Sequence, residues 1–411
     1  MIDDMEKDLK FPEGFLWGTA TSAHQVEGNN HNQWTEWEES PKRINYLKSK
    51  ELNPADFISA GACDHYNHCE EDFDLAKAMN NNTHRFSIEW SRIEPQEGNF
   101  NQAEIEHYRK VIRALRARGI EPFITLWHWT MPIWFAEMGG FENRDNIIYF
   151  VRFCDRIVSE LKNEVKYWII LNEPMRYAGM AYLAGEEPPQ KKNPFVFLRV
   201  ISNLAEAHNR VYEAIHRIDP NAQVGIAHQM NYYEGWPASF INWFWSKRFL
   251  KKIEKHFDFI GLNYYRRLLI KGFNFNAGKG QRIDVGWEIY PEGIYHVLKS
   301  LDRYQKPIYI TENGLADSQD RWRAKFIIDH LRWIHKAISE GVDVRGYFHW
   351  SLLDNFEWAY GFWPKFGIIE VDRETLERKM RFSGKVYGEI ARTGSITPEI
   401  IKIVEGGKNY D

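Results

Sequence analysis

Short apolar runs alternate with amphipathic stretches along most of this chain. β-like runs fall at Phe15–Ala23, His84–Trp90, Glu121–Trp129, Tyr167–Pro174, Gln223–Met230, Phe257–Tyr265, Pro307–Gly314 and Val344–Ser351. Elsewhere apolar positions recur at helical spacing, which predicts helices over 101–118, 145–163, 196–218, 291–304, 320–341 and 375–392. Weaker helical patterns lie at Asp74–Asn80 and 238–255. Asp145 reads as a helix cap, and Gly119 and Gly341 as helix ends. Eight strands alternating with helices predict an α/β fold with a parallel sheet, and eight strands close a (β/α)8 TIM barrel.

A length of 411 residues would often mean two or three domains, yet barrels with insertions pass 400 residues as one unit. No low-complexity linker interrupts the sequence, so one barrel domain over 1–411 is expected. The stretches 24–64, 175–195 and 266–290, rich in Gly, Pro, Asn and aromatics, read as extended loops around an active-site pocket.

With 53 basic and 57 acidic residues and no block of like charge, neither nucleic acid nor an anionic membrane is expected as a partner. The polar N-terminus, Met1 to Asp8, lacks a signal core, and no run approaches the ~18 apolar residues of a membrane helix. Cys63, Cys69 and Cys154 are odd in number and not at metal-knuckle spacing, which fits free thiols in a reducing cytoplasm. Aromatics reach 15%, with 17 Trp. Most belong to a core, although rings near strand ends also suit the flat faces of sugars.

Two glutamates stand where buried strands stop. Glu173 ends Trp168-Ile-Ile-Leu-Asn-Glu before Pro174, and Glu312 ends Ile308-Tyr-Ile-Thr-Glu before Asn313-Gly314. In barrel and open α/β folds, the C-terminal end of the strands is where chemistry is done. Two carboxyls there supply the proton donor and the nucleophile or base that break a glycosidic bond. Glu173 taken alone reads equally well as an acid favouring the first turn of a helix, with Pro174 at its first position. Strict alternation cannot turn both Asn172 and Glu173 inward, so if both serve the site a bulge at this strand end is required. Positions 308, 310 and 312 share a face, and an inward acid continuing an apolar face is hard to explain as packing; its alternatives are a helix cap or a buried ion pair.

Arg85 and Glu89 flank Ser87 on one face, so Arg85 can hold a neighbouring carboxylate ionised or simply pair with Glu89, the reserve catalytic acid. His24-Gln25, His128-Trp129 and Asn172 set hydrogen-bonding groups at strand ends, as a hydroxyl-rich ligand needs. The last strand carries Trp350, Asp354, Asn355, Glu357 and Trp358, then Phe366, which is too polar for a core segment. The histidines form no HxH or HExxH pattern, and no phosphate loop or serine elbow is present, so neither metal nor cofactor is expected.

With these residues the chain resembles the family-one glycoside hydrolases, the β-glucosidase and β-galactosidase group. The likeness runs from Phe15-Leu-Trp-Gly-Thr-Ala-Thr-Ser-Ala-His-Gln-Val-Glu-Gly28 through Arg85–Arg92, His128-Trp129, Leu171-Asn-Glu-Pro174, Gly261-Leu-Asn-Tyr-Tyr265, Gly286–Gly293 and Thr311-Glu-Asn-Gly314 to Trp350–Trp358. It implies a retaining exo-β-glycosidase acting on small β-glycosides or oligosaccharides, with Glu173 as acid/base and Glu312 as nucleophile. It further implies that Gln25, His128, Trp129, Asn172, Glu357 and Trp358 hold the terminal sugar above Trp350, with Phe366 nearby. Arg85, Tyr265 and Asn263 would support the nucleophile. Glu357 would repel the phosphate of 6-phosphorylated sugars and so favours neutral ones. Glu89 stands where many members have a small residue, and 231–257 and 266–286 are shorter than usual, so the leaving-group preference transfers least. The competing readings are a sugar-binding barrel without catalysis, β-mannosidase specificity, and a metal-dependent hydrolase on the same fold.

Overall fold

The computed structural model describes residues 7–272, 274 and 278–406; the N-terminal stretch 1–6 and part of the connection 266–290 lie outside the described residues. Eight parallel strands close into a barrel: β1 (Leu16–Ala20), β2 (Thr83–Ser87), β3 (Glu121–Trp127), β4 (Tyr167–Asn172), β5 (Gln223–Gln229), β6 (Phe259–Asn263), β7 (Ile308–Asn313) and β8 (Val344–Trp350). Seven of the eight fall inside a β-like run of the sequence, and β2 starts one residue ahead of its run, at Thr83. Breakers end two of them: Pro174 follows β4, and Gly314 follows β7. A Cβ on Gly314 would sit 1.8 Å from the Trp350 carbonyl oxygen, so only glycine lets the ends of β7 and β8 approach this closely.

Alternation sorts the side chains into two layers. Phe123, Ile169, Ala227, Phe259, Tyr309 and Phe348 fill the barrel interior, with Phe123 4.9 Å from Phe348 and 5.2 Å from Tyr309 between ring centroids. Trp168, Ile170, Ile260, Leu262, Ile308 and Ile310 belong to the outer core, under the helices. Ile308 and Ile310 therefore do not share an inward face with Glu312. The alternation breaks first: pairing slips between Ile310 and Glu312 against β6, and between Ile310 and Asn313 against β8. That irregularity rotates Glu312 to the interior. In β4 the pairing with β5 slips between Ile169 and Asn172, and Glu173 follows in a left-handed conformation at φ 43°. The break in pairing that two inward residues need is there, a little earlier than Asn172-Glu173.

Helices span Gln102–Ala117, Ile147–Leu161, Pro194–Ile218, Glu292–Leu301 and Arg323–Ser339, near their expected places. Several expectations need correction. Asp145 lies inside a 3₁₀ turn, Arg144–Asn146, that Asn143 caps. The Asp74–Asn80 pattern belongs to a longer helix, His65–Ala78. The 238–255 segment breaks into Ala238–Asn242, a wider π turn at Trp243–Lys247, and Arg248–Lys252. The last predicted helix starts only at Phe382, because Arg378–Met380 pairs antiparallel with Ile369–Val371. The connection 24–64 is not irregular: it contains helices Gln33–Glu38 and Pro41–Ser49, the first closed by a reciprocal Asn32–Thr35 capping box. Leu9–Lys10 pairs with Ser395–Ile396, closing one end of the chain on the other. No helix among the described residues is long and apolar enough to cross a membrane.

Candidate active site

Above the aromatic plug the barrel interior turns polar. Arg85 on β2 is fully buried, and one guanidinium nitrogen donates to Glu312 Oε1 at 2.6 Å. Its other nitrogens donate to Asn172 Oδ1 at 2.7 Å and Thr125 Oγ1 at 3.0 Å. The Tyr265 hydroxyl donates to the second Glu312 oxygen at 2.6 Å. Burial and the Glu312 charge hold that phenol well above its ordinary range, so it remains a donor.

Glu173 has different surroundings. It is buried, and its Oε1 accepts a 2.8 Å bond from Asn263 Nδ2. Burial first, and then the Glu312 charge, push its pKa up to about 8. Opposing them is the Arg176 guanidinium, 4.0 Å from Oε2. Asn263 also donates to Asn172 Oδ1 at 3.2 Å and accepts from Thr311 Oγ1 at 2.7 Å. It therefore reaches Glu173 and the Asn172 bridge, not the Glu312 carboxylate that it was expected to support.

One narrow cavity is lined by both glutamates together with His128, Trp129, Asn172, Tyr265, Trp350, Glu357, Trp358 and Phe366. Gln25 stands behind the lining, donating to the Phe356 carbonyl at 2.8 Å and to Glu357 Oε2 at 3.4 Å. Asn172 Nδ2 donates to His128 Nε2 at 2.9 Å, which leaves the ring proton on Nδ1, and Nδ1 has no partner. Burial holds His128 neutral, well below its ordinary pKa. A buried, unpartnered N–H beside an open cavity is suited to a hydroxyl. Enclosure likewise pushes Glu357 up to about 8. Trp358 packs on Trp129 at 4.5 Å, and Trp350 stacks near His128 at 6.1 Å.

Glu89 lies elsewhere. It accepts from Ser91 and Thr130, each at 2.8 Å, and pairs with no arginine, so neither the ion pair with Arg85 nor a catalytic place holds for it. His24 is likewise engaged, at 2.8 Å from Glu38. The sequence reading missed Arg176, Gln229, Trp287 and Tyr360, which also line the cavity. Arg176 was within reach: it lies one turn after Glu173 on the helix begun by Pro174. Its partner Glu187, 2.9 Å away, carried no signal in the sequence. Among the described residues no three His, Cys, Asp or Glu side chains cluster to hold a metal ion.

The family described as glycosyl hydrolase family 1 matches residues 7–242 and 244–395. The chain is 32% identical to β-glucosidase A of Thermotoga maritima, over 94% of this chain and 99% of that one. The structure superposes on the β-glycosidase of Pyrococcus horikoshii with a TM-score of 0.87, at 38% identity, covering 96% of this chain and 98% of the other. It also superposes on a Thermotoga maritima β-glucosidase in complex with deoxynojirimycin, at TM-score 0.87 and 32% identity, covering 94% and 99%.

Proposed function

Since the chain belongs to glycosyl hydrolase family 1, we propose that it is a retaining exo-β-glycosidase releasing terminal β-D-glycosyl residues, glucose foremost, from small glycosides or oligosaccharides. The observation that carries this reading is the pair of glutamates on one cavity in opposite environments. Glu312 is held by a cation and a phenol, whereas Glu173 keeps its proton to about pH 8.

In the first step Glu312 attacks the anomeric carbon, forming a C–O bond to the sugar. The bond to the aglycone oxygen breaks, and that oxygen takes the Glu173 proton. Esterification removes the Glu312 charge, one of the two influences raising Glu173. The acid then becomes the base that takes a proton from water as water displaces Glu312. A retaining pair acts with its carboxyls about 5–5.5 Å apart. Arg85 and Tyr265 steady the nucleophile, and Asn263 and Asn172 link it to Glu173. His128 Nδ1–H and Glu357 bond the sugar hydroxyls, with Gln25 holding Glu357 from behind, while Trp350 and Trp358 give its ring a flat apolar face. A cytoplasmic setting agrees with three cysteines that are free among the described residues.

Incubation with p-nitrophenyl β-D-glucoside in the presence of a chelator tests this function. Saturable release of nitrophenolate is expected. Binding without release would leave a sugar-binding barrel, and loss of activity in chelator would point to metal-dependent hydrolysis. A panel of gluco-, galacto-, fuco- and mannosides then ranks the sugars.

A further inference from the structure

The cavity grades from a deep end to an outer end. Trp358 is 2% exposed, whereas Tyr360, two residues on and also lining the cavity, is 42% exposed. Trp287 lines the wall beside Tyr265 and Phe366, at 5.7 and 6.3 Å between centroids, away from the Trp350–His128–Trp358 group. On the reading proposed above, the sugar occupies the deep end and the leaving group the outer one.

Arg266 follows Tyr265 and is half-buried; it stands outside the cavity lining and meets it through Trp287. Its guanidinium carbon lies 4.9 Å from the Trp287 centroid, which fixes the planar group by cation–π contact. Its neighbours are compensated: Arg267 takes Glu288 at 2.8 Å and Glu234 at 3.0 Å, and Arg176 takes Glu187 at 2.9 Å. Arg266 makes no ion pair or side-chain hydrogen bond among the described residues, and the groups that act on its charge are Tyr233, Tyr360 and the like charge of Arg176. An arginine oriented by an aromatic ring presents a donor fork matched to a carboxylate, and that fork is unfilled among the described residues.

We propose that Arg266 and Trp287 form a leaving-group subsite that selects aryl β-glycosides bearing a carboxylate on the aglycone. The aryl ring lies against Trp287 and Tyr360, and the carboxylate meets the guanidinium edge. This rests on the glycosidase reading of the same cavity.

The test compares kcat/KM for 4-carboxyphenyl and 4-carbamoylphenyl β-D-glucosides, which share a shape and differ in charge. Arg266→Gln is expected to lower the carboxyl-to-carbamoyl ratio at least fivefold, while Arg266→Lys retains part of it. In the unmodified enzyme the ratio is expected to fall as salt rises, which keeps the proposal testable should a variant misfold. A ratio that is the same in the three proteins and indifferent to salt would overturn the subsite. Turnover of the carbamoyl compound separates the two ideas: its hydrolysis with an unchanged ratio sinks only the subsite. Its failure to react sinks the glycosidase reading and the subsite together.

Discussion

Arg85 and Glu312 form a buried ion pair at 2.6 Å between β2 and β7, strands that are not neighbours in the barrel. The contact crosses the interior, so it ties the position of the nucleophile to the closed barrel and not to a loop. Breaking a buried pair from one side leaves a charge without compensation, at a cost of about 3–5 kcal/mol. Arg85→Ala is expected to lose that much stability in urea titrations and to lose most turnover. Arg85→Lys, which keeps charge but not the fork, should recover stability more fully than kcat.

Glu173 is the proton donor in this account, so its removal should hurt in proportion to the need for a proton. Glu173→Ala should lower kcat/KM for alkyl glucosides by about 10²–10⁴-fold. It should largely spare 2,4-dinitrophenyl glucoside, whose leaving group departs unprotonated. Added azide should restore turnover and yield the β-glycosyl azide. Equal losses on both substrates would contradict the assignment.

The pH profile follows from the raised acid. A carboxyl whose pKa lies near 8 is protonated at neutral pH, so kcat/KM should hold through neutrality and fall above about pH 8. The charged groups facing Glu173 are Glu312, which raises it, and Arg176 and Arg85, which lower it; Asn263 bonds it, and the Tyr265 phenol is bonded to Glu312. Removing the nearest cation should move the basic limb to higher pH. The double variant Arg176→Gln/Glu187→Gln does so without stranding Glu187, and an unmoved limb would refute the role of Arg176.

The same shift has a stability sign. Because the folded state holds the Glu173 proton that the unfolded chain releases near 4.5, stability from this group is present below pH 4.5 and lost as pH rises towards 8. Glu173→Gln should therefore be more stable than the parent at pH 8, by on the order of 1–3 kcal/mol, and no different at pH 4. Thermal melts at the two values measure this.

How much was legible in the sequence depended on the range of the signal. The eight strands were readable because fully buried parallel strands are continuous apolar runs with breakers at their ends. The positions of Glu173 and Glu312 followed from those ends. The inward face assigned through Ile308 and Ile310 was wrong, since Tyr309 faces the barrel and a slip in pairing, invisible to periodicity, turns Glu312 inward. The short helices in 24–64 were missed because their apolar positions lack a long repeat and their capping is local. Arg378–Met380 became a strand through its partner Ile369–Val371, and its neighbours reach far in sequence: Arg378 is bonded to Asp72 at 3.0 Å, and Arg381 to Asp354 at 2.8 Å. Such long-range partners, like Glu187 for Arg176, leave no trace in local pattern.

The most direct test of the central claim is to trap the intermediate. A 2-deoxy-2-fluoro-β-D-glucoside with a good leaving group should inactivate the enzyme with time and add one fluoroglucosyl unit. Peptide mapping should find that unit on Glu312, and Glu312→Ala, whose kcat should fall by at least about 10⁴-fold within an enhancement of about 10⁶ or more, should take up no label. Label on any other residue, or an α-configured first product from an unlabelled enzyme, would contradict the account.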